Sequence, residues 1–334
     1  MSDNMREILI LMAAAVALST HAEILMKTGD KVAFLGDSIT AQGWTSPHGY
    51  VRLVVAGLEA NGVKIEPVPA GVGGHKSNDM LARVTRDVID KKPDWVTISC
   101  GMNDVIHGAK GVPLDQYKIN MTAIVDQCQA AGIKVILFTT TAYGSWNSPQ
   151  TQQLGEYSSF LRELAKHKNC MLVDLYNVFV KAVKTTDPLR ALTGDGCHMS
   201  PEGNILLSKT ALMGLGCTKT EIAKAYETWM DIPDAGNFSA RVDVVLNKKF
   251  FGTSCKLTLR QREKIIEAAK AAKKPTLMHW SKDMLLSLMK KKVKPVGHYN
   301  SLDALFEPGV KDKIQAELQA EFDAEIGRIV KAVN

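Results

Sequence analysis

A serine and an Asp-x-x-His pair are the residue types with the clearest potential for covalent chemistry. Ser38 follows Gly36 and Asp37 at a predicted strand-to-loop turn after a short apolar run, and Asp195 and His198 lie in one loop-like segment. A serine hydroxyl needs a base within hydrogen-bond reach, and that base needs an orienting group. The Asp-x-x-His spacing lets the carboxylate turn back onto the imidazole and select the tautomer whose other nitrogen faces the serine. Taken alone, such a pair is more often a turn with a surface histidine.

Acyl transfer also requires hydrogen-bond donors directed at the developing oxyanion. Gly74, in the glycine cluster 71–74, offers an open backbone N–H, and Asn103 offers a side-chain amide. The N–H of Ser38 is a third candidate donor, and Gly73 is an alternative to Gly74. A glycine-rich turn and an Asn-Asp turn are the simpler interpretations of each motif, so the prediction depends on their occurring together.

The elements that must position these residues follow a βαβ pattern. Apolar, β-branched runs alternate with longer amphipathic stretches, which predicts a parallel sheet flanked by helices. The predicted strands are 31–35, 63–68, 95–99, 133–139 and 170–174, and the predicted helices are 50–60, 77–90, 114–131, 151–168 and one beginning at 201. The motifs follow the first three strands, where open α/β sheets bind their ligands.

Four segments resemble the signature blocks of the SGNH (GDSL-like) hydrolases, which carry a serine, a glycine, an asparagine and a histidine. The segments are 34–40, 70–77, 101–104 and 195–198, and they occur in the family's order. The resemblance covers about residues 30–215. It implies a flavodoxin-like three-layer αβα sandwich with a parallel sheet, no metal or other cofactor, and hydrolysis of carboxylic esters through an acyl-serine.

The resemblance also implies a role for each signature residue. Ser38 is the expected nucleophile, His198 the base and Asp195 the group that orients it, while Ser38, Gly74 and Asn103 form the expected oxyanion hole. His75 and Lys76 depart from the small or acidic residues common after the glycine, which puts the substrate preference in doubt rather than the chemistry.

Substrate contacts are expected from polar and aromatic residues close to the motifs. The candidates are Gln42, Trp44, His107, Tyr143 and Trp146. Local packing or a surface loop is the alternative for each of them. No long apolar lid segment separates the blocks, which favours short acyl esters, such as acetyl groups on carbohydrate, over bulky lipids. A lipase or thioesterase of the same family and a non-catalytic carbohydrate-binding protein of the same fold are the alternatives.

The chain is predicted to have three parts, which are a signal peptide at 1–22, the hydrolase domain at 23–230 and a mainly helical accessory region at 231–334. Within the accessory region, the sequence predicts a strand at 241–246 and amphipathic helices at 258–273, 281–291 and 310–333. Arg6, the apolar run 8–18 and the small residues that follow it are typical of an export signal. The apolar run is shorter than the ~20 residues that span a bilayer. The protein is therefore expected to be exported, to the periplasm or beyond.

Charge and cysteine usage limit the other classes of partner. The net charge is +6, and residues 231–334 hold 19 basic and 13 acidic side chains interspersed with one another. This pattern indicates a solvated helical surface, so we do not expect nucleic-acid binding. The six cysteines show no CxxC and no metal-ligand spacing, which argues against a zinc site. The sequence leaves two possibilities for Cys197 and Cys217, which are a disulfide bridge between them or buried free thiols.

Overall fold

Five parallel strands form the centre of the protein. The computed structural model describes residues 24–185, 192–193, 195–232, 258–260 and 263. The strands are β1 (Lys31–Gly36), β2 (Glu66–Gly71), β3 (Trp95–Ser99), β4 (Lys134–Phe138) and β5 (Met171–Val173). Their order in the sheet is β2-β1-β3-β4-β5, and each neighbouring pair is parallel. This is the strand order of the flavodoxin-like fold, which confirms the predicted architecture.

Helices cover both faces of the sheet. The α-helices of the described residues are α1 (Ser38–Thr45), α2 (Tyr50–Ala60), α3 (Ser77–Asp87), α4 (Met102–Ile106), α5 (Leu114–Ala130), α6 (Pro149–His167), α7 (Leu175–Thr185), α8 (Pro201–Gly214) and α9 (Lys219–Met230). Helices α2, α8 and α9 pack against one another, and α3, α5 and α6 form a separate group. The sheet therefore lies between two helical layers.

The central strands are apolar on both faces because both faces are covered. In β1, for example, Val32, Ala33 and Leu35 are completely buried. The second strand differs from its prediction, since 63–68 was expected and Glu66–Gly71 is found. The N–H of Val63 donates to the carbonyl of Leu58 and closes α2 instead. The strand contains two prolines, which an edge strand such as β2 tolerates, so its sequence lacks the usual β-branched signal.

Several predicted segments lie outside the described residues. They are the signal peptide at 1–22 and, in the accessory region, a strand at 241–246 and helices at 281–291 and 310–333. The helix predicted at 258–273 is described only at 258–260 and 263. There Leu259 is 2% exposed within the apolar core, and Arg260 donates to the carboxylate of Asp231 over 2.8 Å. Within the described ranges, no helix is long and apolar enough to cross a membrane.

Candidate active site

The candidate nucleophile lies at a strand-to-helix turn rather than the strand-to-loop turn expected from the sequence. Asp37 caps α1, and its Oδ1 accepts a hydrogen bond from the N–H of Ile39 over 2.9 Å. Ser38 is the first residue of the helix, where backbone N–H groups have no intrahelical acceptor. A Cβ at Gly36 would lie 2.0 Å from Oγ1 of Thr40, so the turn requires glycine at this position.

Ser38, His198 and Asp195 form one continuous chain of hydrogen bonds. Oγ of Ser38 lies 2.8 Å from Nε2 of His198, and Nδ1 of His198 lies 2.7 Å from Oδ2 of Asp195. A carboxylate can only accept, so Nδ1 carries the proton and Nε2 is the acceptor that faces the serine hydroxyl. This is the tautomer in which an imidazole can remove the proton of a nucleophile.

The loop that carries Asp195 and His198 is held by hydrogen bonds from its own backbone. The other carboxylate oxygen of Asp195 accepts from the N–H groups of Cys197 and His198, at 2.9 and 2.7 Å. Burial alone would raise the pKa of Asp195, but the hydrogen bonds from His198 and from these backbone groups lower it below its usual range. The carboxylate is therefore held in its ionised form. Cys197 and Cys217 are both buried free thiols, with no bridge between them.

A second loop braces this one. The N–H of Gly144, in the segment after β4, donates to the carbonyl of Gly196 over 2.8 Å. Gly196 has a φ of +87°, and a Cβ on it would lie 3.3 Å from the backbone of Gly144. Glycine at position 196 therefore permits both the left-handed turn and the close approach of the two loops.

The candidate oxyanion donors lie at the ends of β2 and β3. Nδ2 of Asn103 donates to the carbonyl of His75 over 3.0 Å and lies 3.5 Å from Oδ2 of Asp37, a long contact that leaves its second hydrogen weakly bound. Gly73 and Gly74 are both exposed; Gly74 has a φ of +76°, and a Cβ placed on Gly73 would lie 3.8 Å from Cβ of Ser38. The N–H groups of both glycines are therefore candidate donors.

Two buried carboxylates next to the signature residues were not assigned a role from the sequence. Burial raises the pKa of Asp37 to about 6, and the hydrogen bond from the N–H of Ile39 only partly offsets this rise. Burial also raises the pKa of Asp104, although its carboxylate accepts from both the N–H and the hydroxyl of Ser77. Asp104 thereby ties the third block to the start of α3. The Asn-Asp pair in the motif was the signal that could have identified it.

The five candidate substrate contacts fall into two groups. Gln42 lies one helical turn beyond Ser38 on the same face of α1, whereas Trp44 packs 3.7 Å from the guanidinium of Arg52. The predicted contact of Trp44 with substrate stays a prediction.

The other three candidates lie on loops. Tyr143 and Trp146 flank the braced residue Gly144, and Trp146 is 44% exposed with the ammonium of Lys184 4.3 Å from its ring. His107 is exposed after α4. Among the described residues, no group of three or more His, Cys, Asp or Glu side chains is arranged to hold a metal ion.

Comparisons with known proteins identify the family. The sequence model of the GDSL-like lipase/acylhydrolase family matches residues 34–205, just over half of the chain. An acetylxylan esterase from Geobacillus stearothermophilus is 32% identical over 210 residues, which are 57% of this chain and 95% of the relative. Its solved structure has a TM-score of 0.53 and covers 58% of this chain and 97% of its own.

Two further relatives have other descriptions. The esterase TesA of Pseudomonas aeruginosa is 30% identical over 40% of this chain and 63% of its own length. The uncharacterized lipoprotein YqeF of Bacillus subtilis is 26% identical over 52% of this chain and 84% of its own. The signature blocks, the parallel sheet and the family match lead to one conclusion: the chain belongs to the GDSL-like lipase/acylhydrolase family and is a carboxylic ester hydrolase of the SGNH type.

Proposed function

We propose that the protein removes short acyl groups, acetyl foremost, from carbohydrate esters through an acyl-Ser38 intermediate. The observation that carries this proposal is the continuous hydrogen-bond chain from Ser38 through His198 to Asp195. These three hydrogen-bonded residues lie beside the ends of β1, β2 and β3, where an open α/β sheet binds its ligands. The acetylxylan esterase of Geobacillus stearothermophilus supports the choice of substrate.

In the first half of the reaction, Oγ of Ser38 attacks the acyl carbon and its proton passes to Nε2 of His198. The negative charge that develops on the acyl oxygen is stabilised by the N–H groups of Ser38 and Gly74 and by the amide of Asn103. Collapse of this intermediate breaks the bond to the sugar oxygen, which takes the proton from His198 and leaves as an alcohol. The acyl group stays on Ser38.

In the second half, a water molecule gives its proton to His198 and attacks the acyl-serine. The carboxylic acid leaves, and the proton returns to Oγ of Ser38. Asp195 remains ionised throughout, which its lowered pKa supports, and it stabilises the imidazolium that forms in each half. No step uses a metal, so EDTA should leave the rate unchanged.

A substrate panel tests this proposal. The full chain is assayed with 4-nitrophenyl esters from acetate to palmitate and with acetylated xylo-oligosaccharides, next to Ser38→Ala. We expect the acetate ester and the acetylated sugars to be hydrolysed, the palmitate ester to be a poor substrate, and Ser38→Ala to lose activity by several orders of magnitude. A preference for long acyl chains would favour a lipase or thioesterase. Near wild-type turnover by Ser38→Ala would remove the serine from the mechanism.

We further propose that the protein is exported by a signal peptide at 1–22, followed by the hydrolase domain at 23–230 and the accessory region at 231–334. The Bacillus subtilis relative is described as a lipoprotein, which supports a location outside the cytoplasm. The family match ends at residue 205 and α9 ends at Met230, which supports the second boundary. N-terminal sequencing of the mature protein from the producing cells tests the first.

A further inference from the structure

Arg83 is a buried arginine that the proposed reaction does not use. It lies on α3 and is 4% exposed. Its guanidinium donates four hydrogen bonds. Nη2 donates to the carbonyl of Gly36 and Nη1 to that of Ala70, both over 2.8 Å. Nη1 also donates to the carboxylate of Asp87, and Nε donates to Nδ1 of His75, each over 3.0 Å.

These contacts connect the parts of the candidate active site. Gly36 is the last residue of β1, two positions before Ser38, and Ala70 is the penultimate residue of β2, which leads to the glycine cluster. His75, which accepts from Nε of Arg83, directly follows Gly74, and its carbonyl accepts a hydrogen bond from the amide of Asn103 over 3.0 Å. One side chain thus contacts the segments that carry the nucleophile and the glycine donor, and reaches the asparagine through a single residue.

We propose that Arg83 and His75 are positioning residues of the hydrolytic site, with the imidazole of His75 acting as a neutral hydrogen-bond acceptor that fixes the oxyanion hole. This inference rests on the proposed function. An arginine is suited to the role because its planar fork supplies several donors in fixed directions, which a lysine does not. Neither residue contacts the reacting atoms in this scheme, so both act through Ser38, Gly74 and Asn103.

The chemistry of the contact defines the state of His75. Nε of Arg83 always carries hydrogen, so Nδ1 of His75 must be the acceptor and the ring must be neutral with its proton on Nε2. Burial and the adjacent Arg83 charge lower the pKa of His75, in agreement with a neutral ring. Loss of this acceptor would free the segment 73–75 to shift, and a shift of about 1 Å in a catalytic group can reduce the rate about 100-fold.

Two substitutions at His75 separate positioning from bulk structure. In His75→Asn, Oδ1 takes the place of Nδ1 and still accepts from Arg83. In His75→Leu, an apolar side chain of similar reach replaces the imidazole, and the acceptor is lost. We expect kcat on the acetyl ester to fall about tenfold or more in the leucine variant with KM within about twofold, and to recover to within about threefold of wild type in the asparagine variant. Wild-type kcat in His75→Leu, or equal losses in both variants, would overturn the proposal.

Arg83 itself has a matched control on the same helix. Arg86 also contacts the carboxylate of Asp87, but it is 75% exposed and has no hydrogen bond to His75 or to a strand end in the described residues. Arg83→Met should therefore lower kcat at least about tenfold more than Arg86→Met. Equal effects on kcat would contradict the proposed role of Arg83.

Ser38→Ala is measured in the same series. If this variant stays active, the proposed function fails. If it is inactive and the His75 variants do not differ, only the positioning role fails.

Discussion

Asp37 provides a quantitative test of the electrostatics around the nucleophile. Its carboxylate is 2% exposed, and burial raises its pKa from 3.8 to about 6. In the unfolded chain water solvates the carboxylate, so the proton is lost near the ordinary value. Between about pH 4 and pH 6 the folded protein therefore binds more protons at this site than the unfolded chain. Stability contributed by this group must fall as the pH rises through that window.

The size of the effect follows from the shift. The pKa is raised by about two units, and one unit corresponds to about 1.4 kcal/mol. Above pH 6 the ionised Asp37 therefore lowers the free energy of unfolding by about 3 kcal/mol, whereas below pH 4 the carboxyl is protonated in the folded protein and nothing is lost. Asp37→Asn removes the ionisation but keeps a side-chain oxygen that can cap α1, and asparagine is as good a cap as aspartate. The free energy of unfolding of the variant, relative to wild type, should rise by about 3 kcal/mol between pH 4 and pH 7.

Urea unfolding of both proteins at pH 4, 5, 6, 7 and 8 measures this difference, and other titrating groups largely cancel because both proteins share them. Asp115→Asn is the matched surface substitution, since the Asp115 side chain is 99% exposed. The relative gain of Asp37→Asn should exceed that of Asp115→Asn at every pH above 6. A difference between Asp37→Asn and wild type that is flat from pH 4 to pH 8 would refute the assigned cause, which is burial of a charge without adequate compensation.

The remaining predictions concern the reaction and the accessory region. Asn103→Ala should lower kcat by about 10²–10³ with little change in KM, and an effect confined to KM would contradict an oxyanion role. Asp195→Asn should lower kcat by up to about 10⁴ while retaining more activity than Ser38→Ala; an unchanged rate would show that His198 needs no orienting carboxylate. Because the pKa of Asp195 is lowered, its protonation should add no limb to the pH profile of kcat/KM above about pH 4, and a limb there that Asp195→Asn removes would contradict this assignment. Truncation after Ile232 should keep hydrolysis of a small acetyl ester but lose about 1.5–3 kcal/mol of stability from the buried Leu259, and a folded, inactive truncation would show that the accessory region completes the site.

The sequence could predict the candidate catalytic residues because two regularities act together. Parallel strands place their carboxyl ends at one edge, so residues that follow successive strands converge there. A hydrogen-bonded triad then needs only one local loop, and the Asp-x-x-His spacing provides it. The 2.8 Å contact between Ser38 and His198, 160 positions apart, is the result of that convergence.

The supporting contacts could not be predicted in the same way. The partners of Arg83 include two backbone carbonyls, Gly36 and Ala70, and a carbonyl carries no sequence signal. Helical spacing with the buried residues Met80 and Val84 places position 83 near the inner face of α3, which was the available hint. The start of β2 was missed for a related reason, because an edge position relaxes the residue preferences that identify a strand.

This contrast explains why the sequence predicts the type of reaction more readily than it predicts the substrate. Ser38 and Asn103 lie at or near strand ends, where the sheet fixes their positions, and even the Asp195 loop is held by backbone hydrogen bonds. The candidate substrate contacts Trp146 and His107 instead lie on exposed loops, where a change of residue leaves the fold intact. Selection for a different acyl acceptor can therefore alter those loops without moving the nucleophile, so the acceptor must be established by assay of defined sugar esters.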